Sequence, residues 1–154
     1  MKRTVKLHVN GDAAEVTVEP RETLLDVLRE RLGLTGAHAG CEHGACGACT
    51  VLLDGEPARS CLVFAVQCED HAITTIEAVG RPDALDPMMQ AFRTHHALQC
   101  GFCTPAMVLG AIALLETTPR PTEREVREAL SGNLCRCTGY AGIVAAVLDV
   151  ASRT

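Results

Sequence analysis

No apolar run in this sequence reaches the length that crosses a bilayer; Arg, Glu, Gly or Pro interrupts every candidate. The N-terminal stretch MKRTVKLHVNGDAAEV lacks an apolar h-region and alternates like a strand. Neither a secretory signal nor a twin-arginine leader is expected from it. Basic charge is not in excess: the formal net charge is -5, which gives no electrostatic footprint for nucleic acid. Low-complexity tracts are missing. So are a hydroxyl-activating triad, a phosphate loop and a dinucleotide glycine motif, and no catalytic residue is expected in this chain. From these absences a soluble, cytoplasmic protein is expected, with no membrane span and no nucleic-acid partner.

Hydrophobic residues and cysteine are plentiful. The 154 residues suit one large domain or two small ones, and 47% of them are hydrophobic, enough for a core without disulfide help. The nine cysteines are many for such a chain, and odd in number. A disulfide framework would need an oxidising compartment, which the missing signal argues against. Clustered cysteines in a reducing compartment point to metal sites or catalytic groups.

Periodicity divides the chain in two. TVKLHV and AAEVTVE alternate on either side of Asn10-Gly11, a two-residue hairpin signal. Thr23 can cap a helix carrying Leu24, Leu25, Leu28 and Leu32, closed by Gly33. The glycine-rich stretch from Gly36 to Cys49 has no periodicity and reads as a loop. TVLLDGEPARSCLVFAV reads as a second hairpin about Asp54-Gly55, and AITTIEAV as a further strand. GRPDALDP, from Gly80 to Pro87, is the linker candidate, because strand alternation stops there. Asp86-Pro87 starts a helix over PMMQAFRTHHAL. Thr104-Pro105 starts another, AMVLGAIALLE, apolar nearly all round and therefore buried. Thr122 and Glu125 form a capping box for EREVREAL, stopped by Gly132, and YAGIVAAVLDVA is the fourth helix. The second half thus repeats a pattern: helix, cysteine-bearing turn, helix. If the two hairpins pack together, four thiolates converge. The expected fold class is α+β, a small mixed sheet crossed by one helix followed by four helices, with domains at 1–79 and 80–154.

Eight cysteines divide into two tetrads. Cys41-x4-Cys46-x2-Cys49, with Cys61 downstream, has the plant-type [2Fe–2S] spacing. Gly40, Gly44 and Gly47 suit a loop that wraps a cluster and aims backbone N–H groups at its sulfurs. Zinc is the competing occupant, although zinc loops usually present C-x2-C pairs. The second tetrad, Cys100-x2-Cys103 with Cys135-x-Cys137, is less specific, and a zinc site competes there more seriously. Two clusters in one small chain would make an electron wire.

The combination CEHGACGACTV, QCGFCTPA and LSGNLCRCTGY closely resembles the small iron–sulfur subunit of the molybdenum hydroxylases, the xanthine dehydrogenase, aldehyde oxidoreductase and carbon monoxide dehydrogenase relatives. The resemblance covers nearly the whole chain, with the motifs in order. It implies an N-terminal β-grasp, plant-type ferredoxin domain and a C-terminal four-helix bundle domain, each with a [2Fe–2S] cluster. It implies that Cys41, Cys46, Cys49 and Cys61 hold a flavin-proximal cluster, and Cys100, Cys103, Cys135 and Cys137 a molybdenum-proximal one. Gln99 and Cys137 match positions that contact the molybdopterin. The implied partners are a large molybdopterin-binding subunit and a medium FAD-binding subunit, with a dimer of heterotrimers as the expected assembly. The implied substrate is an aldehyde, an N-heterocycle or a similar small molecule. Ala106 departs from the family pattern, where glycine usually follows CTP; it opens a helix, and alanine is expected to be tolerated. A free two-cluster ferredoxin is the alternative, and a zinc-stabilised interaction module a third reading.

The other residues have plainer expected roles. Cys68 is expected to be a small buried hydrophobe. His43 lies between ligands, but beside a complete tetrad it is expected to be a solvated loop residue. His38, His95 and His96 are expected at a surface or interface, and Met88, Met89 and Met107 in the core. Arg136, between two ligands, either acts on the cluster or a partner through its charge, or is simply solvated. Arg120, Arg124 and Arg127 form an exposed helix face.

Overall fold

The computed structural model describes residues 1–153; Thr154, the last residue of the expected second domain, lies outside them. Strands β1 (Arg3–Val9) and β2 (Asp12–Val18) form a hairpin about Asn10-Gly11, both at positive φ (56° and 88°). The second hairpin, β3 (Thr50–Leu53) and β4 (Glu56–Arg59), turns the same way at Asp54-Gly55 (52° and 86°). Positive φ at both central residues defines the type I′ turn, whose twist matches that of the strands it joins. Strand β5 (Ala72–Thr74) lies between β1, to which it is parallel, and β3. The sheet order is β2-β1-β5-β3-β4. Val5, Leu7, Val16, Val18, Val51 and Ile73 line its inner face.

The helix expected from Thr23 is present but wound differently. Thr23 caps it reciprocally with Asp26, and α1 (Leu24–Asp26) is regular. Val27–Arg31 then continue as a π-helix, the Leu32 N–H reaching the Val27 carbonyl five residues back. Periodicity cannot separate i−4 from i−5 bonding when the apolar positions lie this close together. A second correction concerns CLVFAV. It runs as two 3₁₀ turns, Ser60–Leu62 and Ala65–Gln67, instead of extending β4. Its backbone pairs with the approach to α1: Leu24 N–H donates to the Val63 carbonyl and Ala65 N–H to that of Glu22. AITTIEAV is a strand for only three residues. Fully buried Thr75, bonded both ways to the Asn10 amide, ends it before a 3₁₀ turn at Ile76–Ala78.

Helices α2 (Pro87–Thr94), α3 (Thr104–Thr117), α4 (Glu123–Ala129) and α5 (Ala141–Ser152) make up the second half. Their starts follow the sequence signals. Asp86 caps α2 through the Met88 N–H, and Thr122 and Glu125 cap α4 reciprocally. Helix α3 is apolar all round because it touches both halves. Met107, Val108 and Ala111 face the helical core, whereas Leu109 and Ala113 meet Leu52 of β3. Ile76 and Val79 pack against both of these apolar groups, so the two halves are joined by side chains as well as by chain. No helix among the described residues is long and apolar enough to cross a membrane.

Candidate metal centres

Cys41, Cys46 and Cys49 of the first tetrad lie on the loop between α1 and β3, and Cys61 in the 3₁₀ turn Ser60–Leu62 that follows β4. Cys49 and Cys61 are buried, 2% and 7% exposed, whereas Cys41 and Cys46 are half-buried. The side chains meet in twos: Cys41 with Cys46, and Cys49 with Cys61. Backbone N–H groups converge on the sulfurs. Cys46 donates to Cys41 Sγ at 3.3 Å and Ala48 to Cys46 Sγ at 3.5 Å. N–H donation from His43 and then Cys46 pulls the Cys41 thiol down to about 6. Burial pushes Cys61 up to about 11, with Cys49 beside it adding to the rise. A metal must therefore displace a proton at Cys61, while Cys41 is close to thiolate already.

The second tetrad forms where the two helix-turn-helix units face each other. Here chain neighbours do not pair. Cys137 Sγ lies 3.5 Å from Cys100 Sγ at the exposed edge, and Cys135 meets buried Cys103 inside. Burial, with Cys135 alongside, pushes Cys103 up to about 12. The four cysteines, with Phe102, Leu134, Arg136 and Tyr140, line a hollow of about 410 Å³. Phe102 N–H donates to Cys100 Sγ at 3.5 Å. Tyr140 OH accepts from the Cys135 N–H at 3.0 Å, and Thr138 Oγ1 lies 3.1 Å from Cys135 Sγ.

Both tetrads therefore present two pairs of sulfurs, the donor set two irons need when each takes two thiolates and shares bridging sulfides. Among the described residues no three His, Cys, Asp or Glu side chains gather where one metal ion could sit.

Gln99 is exposed at the same outer edge, its Nε2 donating to the Cys137 carbonyl at 3.1 Å. His43 is exposed, with Nδ1 2.6 Å from the Cys41 carbonyl oxygen. Cys68 is fully buried, Met88 and Met107 lie in the core, and Arg136 is exposed. His95 pairs with Asp149 at 3.0 Å, while Arg124 and Arg127 pair with Glu128 and Glu123 along exposed α4. His38 has a more specific place: its ring stacks on Phe102, centroids 4.7 Å apart, and its Nδ1 lies 2.6 Å from the Phe102 carbonyl oxygen. Four residues carry contacts that motif reading did not assign: Arg59, Thr50, Asn133 and Tyr140. Asn133 and Tyr140 lie within LSGNLCRCTGY, so their nearness to the ligands was the available signal.

The two loops are in direct contact. Leu134 N–H donates to the Cys46 carbonyl at 2.8 Å, so the chain beside one tetrad is bonded to a residue of the other. Gly47 makes this approach possible. Its φ is +77°, and a Cβ there would lie 2.5 Å from the Gly132 oxygen and 3.0 Å from Asn133 Cα. Gly47→Ala should cost at least about 1–2 kcal/mol from the left-handed backbone alone, with the clash added to it. Thermal unfolding should show the loss, and iron content should fall with it. Unchanged stability and iron content would mean that the loops are not packed this closely.

Comparison with known proteins shows the family. The family described as "2Fe-2S iron-sulfur cluster binding domain" matches residues 7–74, and "[2Fe-2S] binding domain" matches residues 75–148. The two sites thus define a protein with two [2Fe–2S] clusters. The chain is 55% identical to the nicotine 6-hydroxylase small subunit of Paenarthrobacter nicotinovorans, over 94% of this chain and 87% of that protein. It is 44% identical to the aldehyde oxidoreductase iron-sulfur-binding subunit of Escherichia coli (strain K12), over 94% and 70%. Among solved structures, quinoline 2-oxidoreductase from Pseudomonas putida 86 contains a chain 49% identical, with a TM-score of 0.94 over 97% of this chain and 93% of that one. The chain belongs to the family of small iron–sulfur subunits of the molybdenum hydroxylases.

Proposed function

We propose that this chain carries electrons from a molybdenum–pterin site on a large partner subunit, through two [2Fe–2S] clusters, to FAD on a further subunit or to an external acceptor. The observation that carries the reading is the Leu134 N–H to Cys46 carbonyl bond, because it joins the two tetrads through backbone at 2.8 Å. Cys100, Cys103, Cys135 and Cys137 hold the cluster that receives electrons. Cys41, Cys46, Cys49 and Cys61 hold the one that passes them on. Each cluster supplies a site that gains and gives up one electron. The protein's part is to hold the thiolates, exclude solvent and fix the distance.

Electrons enter at the outer edge, where Cys100 and Cys137 are exposed; Gln99 is exposed beside them, which supports its role in contacting the pterin. Phe102 and Leu134, 47% and 55% exposed, give that edge an apolar rim fit for a partner surface. They leave near Cys61, where Leu62 and Phe64 are likewise exposed. The first unit is a β-grasp ferredoxin domain over 1–79 and the second a four-helix domain from 80 onward, with Ile76 and Val79 plugging one into the other. The setting is cytoplasmic, and the assembly a dimer of heterotrimers. The substrate is an aldehyde, an N-heterocycle or a similar small molecule. N-heterocycles should be screened first, since relatives at 55%, 50% and 47% identity are named for nicotine, caffeine and nicotinate.

Iron analysis tests the cluster content. Anaerobically prepared native protein should hold roughly four irons and four acid-labile sulfides per chain, and on reduction should give two rhombic paramagnetic resonance signals. Zinc in place of iron would sink the reading. A stable monomer in fresh extract, with both clusters and no larger partner, would favour the free ferredoxin.

A further inference from the structure

Beside the Leu134–Cys46 bond lies a polar network that the cluster ligands do not require. Asn133 is 6% exposed, and its Nδ2 donates to the Gly47 carbonyl and to Thr50 Oγ1, both at 3.2 Å. Arg59, the last residue of β4, reaches across from the sheet. Its Nη1 donates to Thr50 Oγ1 at 2.6 Å, and its Nη2 to the Gly132 carbonyl at 2.7 Å and Asn133 Oδ1 at 3.3 Å. Thr50 Oγ1 donates to the Gly47 carbonyl at 2.6 Å, so its proton and both lone pairs are engaged. The guanidinium plane spans acceptors on both sides of the junction, a geometry a lysine cannot copy. Thr50 follows ligand Cys49, Gly47 follows ligand Cys46, and Asn133 precedes Cys135 by two residues. Every member of the network is thus within a few bonds of a ligand, or bonded to one that is.

We infer that Asn133, held by Arg59 and Thr50, is a positioning residue that fixes the separation of the two clusters, and that electron exchange between them depends on it. The inference rests on the relay reading above and goes beyond it by assigning the spacing to residues that bind no iron. The physical case is that one backbone hydrogen bond between two loops can stretch freely. The four side-chain bonds that cross the junction, three of them to the buried Asn133 amide, cannot all stretch together, and an unpaired amide there would be costly.

The test uses the native complex with Asn133→Ala or Thr50→Val, both uncharged changes that leave the electrostatics of the loops alone. Iron and sulfide are assayed first. With both clusters loaded and reduced by dithionite, the magnetic splitting between their signals should shrink or become heterogeneous. The Leu134 amide should exchange hydrogen faster than in the parent. After a flash of substoichiometric photoreductant, redistribution of the electron between clusters should be several-fold slower than in the parent. Full iron with parental splitting and parental exchange rate overturns the inference. If Asn133→Ala loses iron, Thr50→Val carries the test, since it keeps the side-chain shape and removes only the shared oxygen. Iron loss in both variants assigns the network to holding the clusters and also overturns the positioning role. A parent chain without two clusters would instead fail the relay reading itself.

Discussion

Cys137→Ala should stop turnover while leaving the molybdenum site able to take electrons from substrate. Cys137 stands at the exposed edge of the second tetrad, 3.5 Å from Cys100. Removing its sulfur breaks the outer pair and leaves Cys103 and Cys135 as the inner one. It also removes the sulfur nearest the proposed pterin contact, where Gln99 donates to the Cys137 carbonyl. The electrons should then be stranded on the partner subunit, with the flavin oxidised and the plant-type signal silent after substrate addition. Iron should fall to about half, because the other tetrad is untouched. The side chain contributes to no apolar core, so the fold should lose only the stabilisation that the bound cluster gives its own domain. Circular dichroism and the dithionite-reduced plant-type signal check that premise. Retained turnover would remove Cys137 from the ligand set.

Cys49→Ala should also end turnover, but with the electrons trapped one station further on. Cys49 is 2% exposed within the sheet-side core and meets Cys61. Its loss should empty the plant-type site and leave the second tetrad whole. Substrate should then reduce the helical-domain cluster and no farther. This variant threatens the fold more than Cys137→Ala does. Both variants forfeit the binding free energy that a bound cluster contributes to its domain, but Cys49→Ala also opens a small cavity in a core. Assembly must therefore be verified by size and by molybdenum content before the trapped state is read.

The elements these arguments rest on were visible in the sequence to different degrees. Asn10-Gly11 and Asp54-Gly55 announced the hairpins because a type I′ turn needs residues that tolerate positive φ. Asp86-Pro87 and Thr122 with Glu125 marked helix starts through local chemistry that the structure repeats. The π winding of Val27–Arg31 was hidden, since it changes hydrogen bonding without moving the apolar stripe far. CLVFAV misled for a different reason: an apolar run reads as a strand, yet its backbone is claimed by Glu22 and Leu24, some forty residues earlier. Spacing grouped the cysteines into two fours, but which sulfurs meet could not be read from it. Cys100 and Cys103 are neighbours in the chain and go to different partners, because that depends on how two turns face each other. Arg59 and Asn133 are 74 residues apart and carry no periodic signal. His38 likewise needed the fold to bring Phe102 onto it.

Rapid-freeze paramagnetic resonance of the assembled Cys49→Ala complex, mixed with its substrate, tests the relay and its direction most directly. The signal of the cluster proposed to be held by Cys100, Cys103, Cys135 and Cys137 should appear on mixing and persist, with flavin left oxidised. If that cluster stays oxidised in Cys49→Ala while the plant-type cluster becomes reduced in Cys137→Ala, electrons run the other way.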